Sequence, residues 1–66
     1  MEIFHERLKQ AIYSKNMSQR KFGQILGVTA QTLNEWCSGK SIPNLKRFKQ
    51  ICETLEADAN WLLGLN

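Results

Sequence analysis

The 66-residue sequence is short of the features that mark several protein classes. It has no long apolar run. No stretch exceeds three residues, as in Trp61-Leu62-Leu63, far below the roughly 20 residues that a membrane-spanning helix needs. The opening residues, Met1-Glu2-Ile3-Phe4-His5-Glu6, lack the basic and apolar regions of a secretory signal. A soluble, cytoplasmic protein with no membrane partner is therefore expected. There is one histidine, His5, and the two cysteines, Cys37 and Cys52, form no Cys-x-x-Cys pair. The usual zinc ligand sets are thus missing and no metal is expected. The cysteines read as small buried apolar groups rather than a disulfide, which intracellular chains rarely keep. One proline and four glycines are too few for a collagen-like or linker sequence.

Catalytic constellations are also missing. No pair of acids marks a cleft, Cys37 has no histidine near it in sequence, and no glycine-rich phosphate loop follows a strand. His5 reads as an exposed residue near the chain start. A preorganised pocket is hard to build at this size. No enzyme activity, cofactor or small-molecule substrate is expected.

What is present is helical periodicity and a lopsided charge. The apolar share, 42%, is that of a globular domain. Phe4, Leu8, Ala11 and Ile12 share one face of a first helix over about 3–15, stopped near Asn16. Ser18 caps a second, with Phe22, Ile25 and Leu26 as its apolar side and Gly27 as its end. Gly23 lies inside it at a cost of about 1 kcal/mol relative to Ala, to be offset by close approach of another helix. A third runs from Thr29 to Ser38, with Leu33, Trp36 and Cys37 inward and Gly39 closing it. A fourth opens at Asn44 with Leu45, Phe48, Ile51, Cys52 and Leu55 as its face. Asp58 caps a last short helix carrying Ala59, Leu62 and Leu63. No segment alternates as a strand would, so the fold class is all-α, a compact five-helix bundle forming a single domain. Two short helices joined by about three residues including Gly27 form a helix-turn-helix.

Net charge is +3, but residues 15–50 hold seven bases and one acid, Glu35, while residues 51–66 hold three acids and no base. A basic middle points to an anion-facing surface. The bases also sit in unusual places. A helix N-terminus carries partial positive charge and favours acids in its first turn. Here Ser18 is followed by Gln19, Arg20 and Lys21, and Asn44 by Leu45, Lys46 and Arg47. Two such starts make sense as anion sites, with phosphate the obvious ligand; the alternative is long side chains swinging into water. At 100° per residue, the outward face of the third helix carries Gln31 and Glu35, with Thr32, Asn34 and Ser38 beside them and Ala30 at the first turn. These are the groups base edges require: Gln for adenine, Glu for the cytosine amino group, Ala for a thymine methyl.

The run Ser18-Gln19-Arg20-Lys21-Phe22-Gly23-Gln24-Ile25-Leu26-Gly27-Val28-Thr29, then Leu33, Trp36, Gly39-Lys40 and Ile42-Pro43, resembles the phage repressor and Cro type of helix-turn-helix domain. Asp58-Ala59-Asn60-Trp61-Leu62-Leu63-Gly64 looks like that family's fifth helix. The resemblance implies a lambda-repressor-like domain of the XRE type that binds double-stranded operator DNA, usually as a homodimer on a two-fold site. It implies a phosphate contact for Gln19, base or adjacent backbone contacts for Thr29, Ala30, Gln31, Thr32 and Glu35, and backbone clamping by Lys40 and the Asn44 helix start.

Three departures from the pattern stand out. Many members pair an Arg where Ile12 stands with a Glu where Cys37 stands, so an apolar Ile12–Cys37 contact is expected in its place. Glu56 stands where Gly is common, which predicts a less sharply turned end to the fourth helix. Glu35 stands where a base or amide is common. The function expected is sequence-specific DNA binding by a transcriptional repressor of phage or bacterial origin. Rival readings are a protein-interaction module, as in an antitoxin or adaptor, presenting Tyr13, Trp61 and Leu65, and the N-terminal part of a longer repressor.

Overall fold

The computed structural model describes residues 2–65. Five helices follow in chain order: α1 (Glu2–Ser14), α2 (Gln19–Leu26), α3 (Ala30–Ser38), α4 (Leu45–Leu55) and α5 (Ala59–Leu63). No strand occurs among the described residues. None of the described helices is long and apolar enough to cross a membrane.

The helix ends follow from side-chain chemistry. Ser18, Thr29, Asn44 and Asp58 each hold extended backbone, and each side-chain oxygen accepts an N–H of the turn it starts. Asn16, at φ 58°, stops α1 in the left-handed conformation that Asn tolerates. Gly27, at φ 76°, turns the chain from α2 toward α3, its N–H donating to the Gly23 and Gln24 carbonyls. The end of α4 differs from expectation. Glu56 adopts φ 53° and ψ 40° and closes α4 as sharply as a glycine would, donating to the Cys52 and Glu53 carbonyls. Its side chain meets Lys15 at 2.6 Å across from the end of α1. That tertiary contact favours the residue where its backbone preference does not.

One core joins all five helices. Phe4, Leu8, Ala11 and Ile12 of α1 meet Phe22 and Leu26 of α2, Leu33, Trp36 and Cys37 of α3, Ile51 and Leu55 of α4, and Leu62 of α5. No charged or polar side chain is buried among the described residues. Ile12 and Cys37 both lie inside this core, where an ion pair would need desolvation. Burial pushes the Cys37 thiol up to about 11, with Lys9 pulling slightly the other way, so it stays neutral at physiological pH.

Two apolar assignments are corrected. Ile25 is exposed, because α2 buries the stripe through Phe22, Gly23 and Leu26, and Ile25 lies more than 100° from its centre. Leu45 is exposed because it occupies the first turn of α4, ahead of the residues that reach the core. Arg47, also in that turn, reaches back instead. Its guanidinium Nη1 donates to the Leu26 carbonyl at 2.8 Å and to Gln50 Oε1 at 3.0 Å. It thereby ties the start of α4 to the C-terminal end of α2, where carbonyls lack helical partners.

Gly23 meets α3 through Leu33, but leaves room. A Cβ there would lie 3.4 Å from Leu33 Cδ2 and 3.6 Å from the Val28 carbonyl oxygen, ordinary packing distances. Gly23→Ala should therefore stabilise the fold, by up to about 1 kcal/mol of helix propensity, read as a higher denaturation midpoint. A lower midpoint would mean that Leu33 cannot accommodate the methyl. Glu56→Gly should also raise the melting temperature by removing the left-handed strain. The Lys15 hydrogen bond, and then its charge, hold the Glu56 carboxyl below its ordinary value of 4.5. The pair therefore supports the wild type above that range and is lost as pH falls through the folded value. Paired melts at neutral and acidic pH should show a larger gain for Glu56→Gly in acid.

Candidate nucleic-acid interface

The site is built from two helix starts and one helix face. At the first start, the Ser18 hydroxyl oxygen accepts from the Lys21 N–H at 3.0 Å. The N–H groups of Gln19 and Arg20 have no acceptor within their own helix. Gln19 is half-buried, while Arg20 and Lys21 are exposed. At the second, Asn44 Oδ1 accepts from the Arg47 N–H at 2.8 Å, and Lys46 is exposed beside it. No acidic residue stands in the first turn of α2, α3 or α4. The partial positive charge of these starts therefore has no anionic side chain in its own turn.

Between the two starts in the chain comes α3. Thr29 is used twice by its own cap: its Oγ1 accepts from the Thr32 N–H at 3.0 Å and its hydroxyl donates to Thr32 Oγ1 at 2.9 Å. Ala30, Gln31, Asn34 and Ser38 are exposed, and Thr32 and Glu35 are half-buried. The Ser38 hydroxyl turns back to donate to the Glu35 carbonyl at 3.3 Å. That carbonyl also takes the Gly39 and Lys40 N–H groups, the latter at 3.0 Å, which fixes the chain leaving α3 and leaves the Lys40 side chain exposed.

These parts meet. Gln19 and Arg20 of α2 line one shallow crevice with Ala30, Leu33 and Asn34 of α3. Lys40, Asn44 and Lys46 belong to the other flank, where α3 gives way to α4. Arg47 differs from the remaining bases: the contact to Leu26 makes it a brace of the site as well as part of its charge.

His5 is the residue that sequence reasoning misplaced. Far from exposed, it is half-buried, with Nδ1 3.2 Å from the Cys37 carbonyl oxygen at the C-terminal end of α3. A Cβ on Gly39 would come within 3.0 Å of its ring. The signal was present in the spacing: His5, Leu8 and Ile12 stand at i, i+3 and i+7, the pattern of one helix face. Trp61 is likewise packed against the core rather than presented to solvent. Arg7 lies over its ring, 5.1 Å from the centroid, and donates through Nη1 to its carbonyl. Tyr13 and Leu65 are exposed. Among the described residues, no group of His, Cys, Asp and Glu is placed to hold a metal ion.

Comparison with known proteins agrees with this geometry. The family model described as helix-turn-helix matches residues 8–62. An uncharacterised HTH-type transcriptional regulator derived from the SPbeta prophage of Bacillus subtilis (strain 168), YonR, is 34% identical over 61 residues, covering 92% of this chain and 56% of the regulator. The HTH-type transcriptional regulator for conjugative element R391 of Providencia rettgeri is 32% identical over 62 residues, covering 94% of this chain and 28% of its own. The HTH-type transcriptional activator BcrR of Enterococcus faecalis is 32% identical over 61 residues, covering 92% and 30%. The chain thus spans about half the length of the prophage regulator and under a third of the other two. No solved structure gives a significant match. With 55 consecutive residues, from the middle of α1 into α5, matching one family model, the chain belongs to the helix-turn-helix family in its Cro and phage-repressor branch.

Proposed function

We propose that the protein regulates transcription by sequence-specific binding of double-stranded DNA, with α3 in the major groove. The observation that carries the reading is the polar face of α3 set between two helix starts that hold bases and no acids. Phosphates on either side of the groove take the first-turn N–H groups of α2 and α4, and the charges of Arg20, Lys40 and Lys46. Gln19 and the Asn44 amide add hydrogen bonds to the backbone. Gln31 and Asn34 reach base edges, Ala30 accepts a thymine methyl, and Glu35 accepts from a cytosine amino group. Thr29, Thr32 and Ser38 lie at the rim of this surface, their hydroxyls shared with their own helix.

The chain acts as one of a pair on a two-fold operator, reading half-sites about one helical turn apart. The regulatory sense proposed is repression, since occupancy of a promoter blocks it with no further surface. Its setting is the cytoplasm of a bacterium or of a phage-infected cell; relatives named for a prophage and a conjugative element support that setting. Binding, without chemistry, is the whole of the proposed activity.

Selection of duplexes from a random pool supplies the DNA for a test. On a selected duplex, Gln31→Ala should cost about 1–3 kcal/mol and relax one base position, measured by fluorescence anisotropy at fixed salt. Equal weakening on every sequence would remove Gln31 from base reading. Lys46→Ala should weaken all duplexes alike and lower the salt slope of binding by about 1. An unchanged slope would show that Lys46 touches no phosphate.

A further inference from the structure

One base of the candidate interface is already occupied inside the protein. Arg47 stands in the first turn of α4, where the partial positive charge of a helix start disfavours a cation. Its backbone and its side chain are both engaged. The backbone N–H donates to Asn44 Oδ1 at 2.8 Å and closes the cap. Guanidinium Nη1 donates to the Leu26 carbonyl at 2.8 Å and to Gln50 Oε1 at 3.0 Å, one hydrogen for each acceptor. Arg20, Lys40 and Lys46 are exposed, whereas Arg47 and Gln50 are half-buried.

The acceptor at Leu26 explains the reach. Leu26 is the last residue of α2, directly before the left-handed Gly27 that turns the chain toward α3. The Gly27 N–H goes to the Gly23 and Gln24 carbonyls and the Val28 N–H to that of Gly23, so the amides of the turn serve carbonyls farther back. The last carbonyls of a helix lack helical partners and carry partial negative charge. A cation is favoured there by the same dipole that disfavours it at the start of α4. Arg47 thus carries its charge from a helix end that repels it to one that attracts it. In doing so it ties α4 to the turn between α2 and α3, and Gln50, one turn further along α4, holds the guanidinium in that seat.

We propose that Arg47 is a positioning residue for DNA recognition rather than a phosphate ligand. It sets the start of α4, with Asn44 and Lys46, against the turn that leads into α3. The assignment rests on the DNA reading above and deepens it. A basic first turn at α4 pointed to phosphate for both Lys46 and Arg47; the hydrogen bonds divide the two roles, leaving Lys46 to the phosphate and Arg47 to the geometry. Charge alone does not fill the second role. Lysine keeps the charge but ends one bond short of Nη1, so the two side chains are not interchangeable here.

The test is fluorescence anisotropy over a salt series, on a duplex selected from a random pool and on an unrelated one, at a temperature where circular dichroism shows every variant folded. Arg47→Lys should weaken the selected duplex roughly 3- to 10-fold and leave both the unrelated duplex and the salt slope unchanged, because non-specific binding follows charge. Arg47→Met should weaken the selected duplex similarly and keep the salt slope, where a lost phosphate contact would lower it by about 1. Gln50→Ala, which removes no charge, should weaken the selected duplex in the wild type and add nothing in the Arg47→Lys background. Wild-type affinity in Arg47→Lys, a lower slope in Arg47→Met, or additive effects of Arg47→Lys and Gln50→Ala would overturn the proposal while the DNA reading stands. A lower melting temperature with unchanged preference for the selected duplex would also overturn it, leaving Arg47 a role in stability alone. Failure of the wild type to select any duplex would overturn the DNA reading itself, and the assignment with it.

Discussion

A nine-residue helix cannot hold itself together in water, because nucleation costs more than so few hydrogen bonds return. α3 exists because Leu33, Trp36 and Cys37 are buried against its neighbours, and every other feature of the proposed interface depends on that anchorage. The burial turns the opposite face outward and limits its rotation, since a turn of one residue would lift a core side chain into solvent. Both ends are also pinned. Thr29 and Thr32 close the first turn, and His5 covers the last one at the Cys37 carbonyl. Gly39 has to be small there as well as left-handed, at φ 85°, because the histidine ring occupies the space a side chain would take. In the proposed function, α3 held this way would present its side chains to DNA with little ordering left to do.

The same economy governs the flanking helices. Uncharged caps, Ser18 and Asn44, satisfy one N–H each and leave the rest of the first turn without an acceptor from its own cap. An acid at those positions would steady the isolated helix and occupy the place of a phosphate. The bases there give up a few tenths of a kcal/mol of helix stability for a surface that attracts anions. Arg47 shows that the two demands overlap. By bonding to the Leu26 carbonyl it fixes the spacing between the C-terminal end of α2 and the start of α4.

How much of this could be read from residues alone depended on how local each cause is. Caps and glycine stops act within one turn, so Ser18, Gly27, Thr29, Gly39 and Asn44 declared the helix boundaries. The inward stripe of α3 was legible because three apolar residues and six polar or small ones leave one solution. Edge positions were not. Ile25 and Leu45 share the periodicity of buried neighbours, and only the placement of other helices decides that nothing covers them. Contacts made by long side chains across the chain were invisible too: Arg47 reaches 21 residues back, and Arg7 reaches 54 forward to Trp61. Glu56 is the clearest case. Local preference argues against a left-handed glutamate, and a lysine 41 residues away gives the side chain its partner. The candidate site was thus legible as a list of surface groups, but not in its bracing.

The exchange of a charged junction for Ile12 and Cys37 has a consequence for how binding responds to salt. A buried ion pair between α1 and α3 would make the seating of α3 depend on charge. Here that junction lies in an apolar core, with the thiol kept neutral by burial. Lys15 and Glu56 form an exposed ion pair that joins the ends of α1 and α4. Added salt screens exposed charges much more than buried structure, so it would weaken the proposed attraction to phosphate while leaving α3 in place. If the protein binds DNA as proposed, the salt slope of that binding would count the phosphates the surface neutralises, without a contribution from loosening of α3.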